Sequence, residues 1–197
     1  VRRDRNGHLR EILDWHAQGS DTSLEAVMQF EVDRQVDVNV LRQIETDVAR
    51  ALRDVQSAVE DWQPMTARLQ QILASWEQHP PPVDPSELTE ARAFLEWLAD
   101  DHFTFLGYRE YELDRENGED VLRWGPGPGL GIRRETRLGR LSGSFAALSA
   151  SMQADIKAPN LLVISKSNDR ATVHRPGYMD YIGIKRFDAN GRVVGEQ

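Results

Sequence analysis

The sequence predicts an α+β protein in which antiparallel sheets carry helices on one face. Three observations predict this class: asparagine–glycine pairs between strand-like runs, long amphipathic helices, and short strands of alternating polarity. Asn6-Gly7, Asn117-Gly118 and Asn190-Gly191 each lie between two strand-like runs. Asn and Gly adopt positive φ at low cost, as tight hairpin turns require. Repeated hairpins indicate antiparallel pairing and argue against a doubly wound parallel sheet.

The first predicted block, residues 1–36, contains strands only. After the Asn6-Gly7 turn, Val27, Phe30 and Val32 predict a further strand within residues 23–35. The sequence begins and stops inside strand-like stretches, so we expect it to be a segment of a longer protein.

Residues 37–78 predict an amphipathic helical hairpin. Asp37 or Asn39 can cap the first helix, and Pro64 is expected to end it because its ring disfavours helix at the preceding residue. Each of the two helices has a stripe of apolar residues. These stripes are expected to pack against each other, although each could also bind a partner helix. Their residues recur at spacings of three and four: Leu41, Ile44, Val48, Leu52, Val55, Val59 and Trp62, then Met65, Leu69, Ile72, Leu73 and Trp76.

Residues 79–85 contain four prolines, a composition that predicts an extended, semi-rigid linker between separately packed units. A helix is expected from about Ser86. Asp100, Asp101 and His102 lie where the helical period gives way to a strand period. We interpret this as a helix end rather than a metal site, because a metal site needs further ligands at suitable spacing.

The last block, residues 86–197, predicts an antiparallel sheet with helices on one face. Strands are expected from Phe103 onwards, from Asn160, and over the stretch YMDYIGIKRF, which leads through the Asn190-Gly191 turn to a final strand. A short helix is expected within residues 142–153.

Composition excludes several classes of partner. Acidic residues outnumber basic ones 32 to 24, for a net charge of −8, whereas nucleic-acid binding depends on Lys and Arg. The absence of cysteine excludes disulfides and thiolate sites and fits a cytoplasmic protein. No apolar run reaches the roughly 18 residues of a membrane span, so we expect no membrane partner.

The glycine-rich stretch at residues 125–132 has the appearance of a phosphate-binding loop. Leu130 stands where the dinucleotide fingerprint needs glycine, and Pro126 and Pro128 lack amide donors. A rigid turning loop is therefore favoured over a self-contained enzyme built on this stretch. No local catalytic motif is present, although a triad assembled in space stays open; no catalytic or metal residue is assigned.

The region 166–178 is the strongest candidate site. Forked guanidinium donors match the two oxygens of a carboxylate or phosphate, so the pattern predicts a site for a small anionic effector. The alternative is a solvated connection between strands. The candidate residues are Lys166, Arg170, His174, Arg175 and Tyr178.

Two long blocks carry a family resemblance. FLEWLADDHFTFLGYREYEL and LLVISKSNDRATVHRPGYMDYIGIKRFDANGRVVGE resemble the N-terminal, non-catalytic region of the large bacterial NAD-specific glutamate dehydrogenases. VMQFEVDRQ and the long helix after it are similar to the end of that family's first ACT-like domain. The resemblance implies truncated ACT-like strands at residues 1–36 and a PAS-like or ACT-like domain at 86–197, cut at its C-terminal end.

The resemblance also implies a role. The family oxidises L-glutamate to 2-oxoglutarate and ammonia with NAD, on a catalytic domain far downstream. No matching NAD or glutamate motif stands in these residues, so we expect this fragment to be non-catalytic and without a cofactor. The implied role is regulation and oligomer assembly through the rest of the parent chain and neighbouring subunits. A purely structural spacer without a ligand is the alternative.

Overall fold

The computed structural model divides the chain into two compact units, residues 1–43 and 44–197. The structure describes residues 1–14, 16, 19, 22–23, 25, 28–116, 119–125, 127–134, 158 and 160–197. The Asn117-Gly118 turn and the short helix predicted at 142–153 lie outside the described residues. The domain boundaries predicted after residues 36, 78 and 85 stay predictions.

The unit at residues 1–43 begins with a small antiparallel hairpin. Strands β1 (Arg2–Arg3) and β2 (Leu9–Glu11) pair around the predicted Asn6-Gly7 turn. Gly7 has φ +82° and donates its N–H to the Asp4 carbonyl at 2.9 Å. This turn prediction is confirmed.

The strand predicted within residues 23–35 is wrong for its described part. Residues 28–37 form no strand, and the side chains of Phe30 and Val32 are 62% and 60% exposed. A strand needs a neighbouring ladder of hydrogen bonds, and these residues have none in the described part of the chain. Alternating polarity alone was therefore not enough to predict a strand here.

A single helix, α1 (Val38–Gln78), replaces the predicted helical hairpin. Pro64 lies inside it. An interior proline costs about 3 kcal/mol, through one lost hydrogen bond and a steric clash. The helix continues because one buried stripe passes Pro64 at helical spacing and offsets that cost through its packing. Its buried residues are Ala58, Asp61, Met65, Leu69, Ile72, Leu73 and Trp76.

The proline-rich segment joins two helices that share a core. Helix α2 (Pro85–Trp97) is capped by Asp84, whose carboxylate accepts the Ser86 N–H at 2.8 Å. Trp76 of α1 and Leu95 of α2 belong to the same buried cluster. Residues 79–84 are therefore a helix–helix connection, and the prediction of separately packed units on either side is corrected.

Helix α2 ends in a π-helical turn, Leu98–His102. Asp101 adopts φ +55° there, and His102 Nδ1 lies 2.9 Å from the Trp97 carbonyl oxygen. The His102 ring also stacks on Trp97, with ring centroids 4.7 Å apart. His102 thus lies at the end of the helix, as the change of period predicted.

Two antiparallel sheets follow the helices. β3 (Gly107–Tyr108) pairs with β6 (Leu130–Gly131). The larger sheet has five strands in the order β5-β4-β9-β8-β7. The strands of the larger sheet are β4 (Tyr111–Glu116), β5 (Glu119–Trp124), β7 (Leu162–Arg170), β8 (Tyr178–Phe187) and β9 (Val193–Glu196). The final strand therefore lies in the middle of this sheet, between β4 and β8.

The core of this unit lies between the two helices and the sheet. Its buried side chains come from α1, α2 and β8, and from Leu161, which is fully buried just before β7. The Leu161 N–H is bound by the Glu87 carboxylate of α2 at 2.6 Å. The α+β class with antiparallel sheets is confirmed. Among the described helices, none has the length and apolarity needed to cross a membrane.

Candidate functional site

A cavity of about 450 Å³ lies within the unit at residues 44–197. Small-molecule sites commonly have volumes of about 300–1,000 Å³. The cavity has an apolar wall and a basic wall, and the two come from different elements.

The apolar wall is formed by the helices and the sheet. The stripe of α1 that passes Pro64 supplies part of it, because residues four apart share a helix face. The buried residues of this wall are Met65, Leu69, Ile72, Leu95, Leu98 and Ile184.

The basic wall combines three segments that are distant in sequence. Arg109 and Arg133 come from the β3 and β6 regions, and His174 and Arg175 come from the loop between β7 and β8. Among the described residues lining the cavity, only Asp180 has an acidic side chain, and it pairs with Lys166. In a chain of net charge −8, this concentration of cations attracts anions.

Arg109 is held from two sides. Its guanidinium donates to the Arg133 carbonyl at 2.9 Å and lies 3.9 Å from the Trp124 ring centroid, in a cation–π contact. Within the described part of the chain, its buried Nε has no hydrogen-bond partner. Among the described residues, the Arg133 guanidinium has one acidic neighbour, the exposed Asp169 at 3.7 Å, and a pair of this kind contributes little.

Arg175 lies in the loop at residues 171–177, whose backbone is fixed by contacts to the rest of this unit. The Thr172 hydroxyl donates to the Asp54 carboxylate of α1 at 2.6 Å, and Val173 is buried. His174 has φ +70°, a left-handed conformation that is uncommon outside glycine. Among the described residues, no acidic side chain pairs with Arg175, so its guanidinium is free to bind an anion.

The glycine-rich stretch is anchored to α1 by a buried carboxylate. Asp61 is 6% exposed and accepts the Gly131 N–H at 2.7 Å and the Arg134 Nε–H at 2.8 Å. The hydrogen bonds from Arg134, followed by the one from Gly131, hold the pKa of Asp61 below its usual range against the opposing effect of burial. The Gly131 amide, which a phosphate loop would offer to a ligand, is thus used within the protein.

A buried polar group lies beside the cavity at Tyr181. Its hydroxyl donates to the Glu196 carboxylate, and Lys185 Nζ lies 3.5 Å from the other oxygen of that carboxylate. Burial, with the Glu196 charge, raises the pKa of the Tyr181 phenol. Burial and Glu110 likewise raise the pKa of Tyr108. The phenols of Tyr108 and Tyr181 therefore stay neutral near pH 7.

The structure brings together three of the five predicted site residues. His174, Arg175 and Tyr178 line the cavity, whereas Lys166 and Arg170 do not. Lys166 pairs with Asp180, and Arg170 lies over the Tyr178 ring at 5.3 Å. Lys166 and Arg170 lie on β7, whereas His174 and Arg175 lie in the loop after it and Tyr178 begins β8.

Sequence reasoning missed the two arginines that complete the basic wall. Arg109 and Arg133 come from segments that the β3–β6 pairing brings together. It also missed Asp61, although a signal existed. Asp61 stands three residues after Ala58 and four before Met65, on the apolar stripe, where an unpaired acid would be costly.

The fold defines an α+β protein with antiparallel sheets, and its first module belongs to a recognisable class. Residues 1–48 match the family model described as the glutamate dehydrogenase ACT1 domain. Over its whole length the chain is similar to two proteins named NAD-specific glutamate dehydrogenase. It is 37% identical over 196 residues to the enzyme of that name from Pseudomonas aeruginosa, and 34% identical over 198 residues to that from Halomonas elongata.

These comparisons confirm the resemblance predicted from the sequence. They cover 100% of this chain but only 12% of the length of each relative. The described residues thus correspond to a small part of proteins that are named for their use of NAD and glutamate.

Proposed function

We propose that this chain is a regulatory and oligomer-assembly segment of an NAD-dependent glutamate dehydrogenase in the cytoplasm. The parent enzyme converts L-glutamate, NAD and water into 2-oxoglutarate, ammonia and NADH. NAD binds elsewhere in the parent, and this segment takes no part in the chemistry. Similarity over the whole chain to enzymes of that name supports this assignment.

The regulatory part of the proposal rests on the cavity. An apolar interior with a basic wall suits a small anionic effector, and the unpaired guanidinium of Arg175 is its first contact. A forked donor on a tied loop loses little conformational freedom when it binds a carboxylate or phosphate. These features support an effector site in this segment.

The assembly part of the proposal rests on the first half of α1. Within the unit at residues 44–197, Leu52, Val55, Val59 and Trp62 lie at helical spacing and are 39–64% exposed. Large exposed apolar side chains in one row are typical of protein–protein contacts. The same observation favours the alternative, a structural spacer that positions other domains and binds no ligand.

Calorimetric titration separates these two functions. Aspartate, glutamate and adenine nucleotides are titrated at millimolar concentration into the wild type and Arg175→Ala. Binding by the wild type that weakens in the variant supports the effector role. If the wild type binds no anion, the alternative function, a structural spacer without a ligand, is favoured. Deletion of the segment from the parent enzyme tests assembly separately, because light scattering then reports whether the oligomer dissociates.

A further inference from the structure

We infer that the cavity binds a monocarboxylate with an apolar body of about six to ten carbon atoms. This inference rests on the proposed effector function and narrows it. Its carboxylate contacts Arg175, and its hydrocarbon part lies against the half-buried apolar side chains of the lining, such as Leu106, Ile132 and Ile182.

The size of the apolar wall sets the length of the ligand. A cavity of about 450 Å³ has room for roughly fifteen groups the size of a water molecule, at about 30 Å³ each. The half-buried apolar side chains of the lining, Phe105, Leu106, Ile132 and Ile182, are the ones that a ligand can contact, and none of them offers a charged partner.

The basic wall distinguishes a plain carboxylate from an amino acid. An α-ammonium group needs a carboxylate partner, and among the described lining residues only Asp180 has an acidic side chain. Asp180 is already paired with Lys166. The lining otherwise contributes the guanidinium groups of Arg109, Arg133 and Arg175, which repel a second positive charge. A carboxylic acid without an α-amino group therefore fits better than the corresponding amino acid.

The ligand can reach the cavity through its exposed edge. Phe103 is 38% exposed and Tyr178 is 57% exposed, and both line the cavity. Their rings offer apolar surface at the entrance. An amphipathic ligand can thus enter with its hydrocarbon part first and leave its carboxylate beside Arg175.

Calorimetry with a chain-length series tests this inference. Butyrate, hexanoate and octanoate are titrated into the 197-residue chain, with the carboxylate of Gln197 amidated because this residue lines the cavity. Each buried methylene is expected to tighten binding by about fourfold. Octanoate should bind at least tenfold more tightly than butyrate, and both 1-octanol and 2-aminooctanoate should bind more weakly than octanoate.

Two arginine variants form a matched pair for this experiment. Arg175→Ala removes the guanidinium at the cavity and should weaken octanoate by at least about tenfold. Arg170→Ala removes a guanidinium from the same hairpin, but this one does not line the cavity. The variant should therefore change the affinity for octanoate less than twofold. Both residues are exposed, and circular dichroism melting curves verify that each variant is folded. Nuclear Overhauser contacts from octanoate to the methyl groups of Leu106 and Ile182 would place the hydrocarbon chain in the cavity.

The outcomes separate this inference from the proposed function. Binding that is independent of chain length, or equal in Arg175→Ala, overturns the inference. Aspartate or a nucleotide that binds through Arg175 while octanoate does not bind also overturns it, but leaves the effector role standing. If no anion binds the wild type at millimolar concentration, both fail.

Discussion

Replacing Asp61 by alanine should remove the anchor between α1 and the glycine-rich stretch. The carboxylate accepts hydrogen bonds from Gly131 and Arg134 and is almost fully buried. A buried N–H left without an acceptor costs about 1–3 kcal/mol, and a hydrogen bond to a charged group contributes about 1.5–3 kcal/mol. Arg134 is 40% exposed and keeps Glu60, so its share is discounted. We expect a loss of about 3 kcal/mol.

The measurement is urea unfolding followed by circular dichroism, at pH 7. With a slope of roughly 2 kcal/mol per molar urea, the expected loss moves the midpoint down by about 1.5 M. Glu60→Ala is the matched control, because Glu60 binds the same guanidinium but is 46% exposed. Its midpoint should move much less than that of Asp61→Ala, because an exposed ion pair contributes little. Equal losses in the two variants would show that burial of Asp61 is not what stabilises this contact.

At acid pH the wild type and Asp61→Ala should differ less in their free energy of unfolding. The pKa of Asp61 is lowered in the folded state, so its contribution is fully present above the unfolded-state pKa of about 3.9. The contribution is lost as the pH falls through the lower, folded-state pKa. Unfolding measured in steps from pH 5 to pH 2 should show the gap closing below about pH 4. A gap that is constant over this range would contradict the assignment.

Three further predictions concern the same unit and the whole chain. Gly131→Ala should lower the free energy of unfolding in urea by at least about 2 kcal/mol. Gly131 has φ +59°, and an added Cβ would lie 2.2 Å from the Leu106 carbonyl oxygen. A loss under about 0.5 kcal/mol would mean that this loop adjusts without strain. Leu95→Ala should cost about 3 kcal/mol, since Leu95 is 1% exposed, and an unchanged midpoint would contradict its place in the core. The purified chain should form no NADH from glutamate and NAD in an absorbance assay at 340 nm, and turnover above the buffer control would overturn the non-catalytic assignment.

Local chemistry made part of the fold predictable from the sequence. The turns at Gly7 and Gly191 adopt the positive φ that their Asn-Gly pairs predicted. Strands β7 and β8 were also predicted, because compact apolar runs between turn residues determine them locally. Such features depend on neighbours in the sequence and not on the rest of the molecule.

The features that were missed depend on contacts between distant segments. Pro64 predicted a helix end, but the buried stripe of α1 keeps the helix continuous through it. Arg109, Arg133 and Arg175 share a wall only because strand pairing and a docked hairpin place them there. Periodicity and turn chemistry carry no information about which segments will meet, so the basic wall could not be predicted from the sequence.

The central position of β9 affects the order in which this unit can be built during synthesis. Tyr111 of β4 pairs with Glu196 of β9, close to the other end of the sequence, and Lys185 of β8 pairs with the same residue. On a ribosome, β4 and β8 emerge earlier and have no shared neighbour until residues 193–196 follow. The pairing of β4 with β9 therefore closes the sheet over a long sequence separation, and pairings of this kind form slowly. Until that moment the nascent chain exposes two unpaired strand edges, which favour aggregation in folding intermediates.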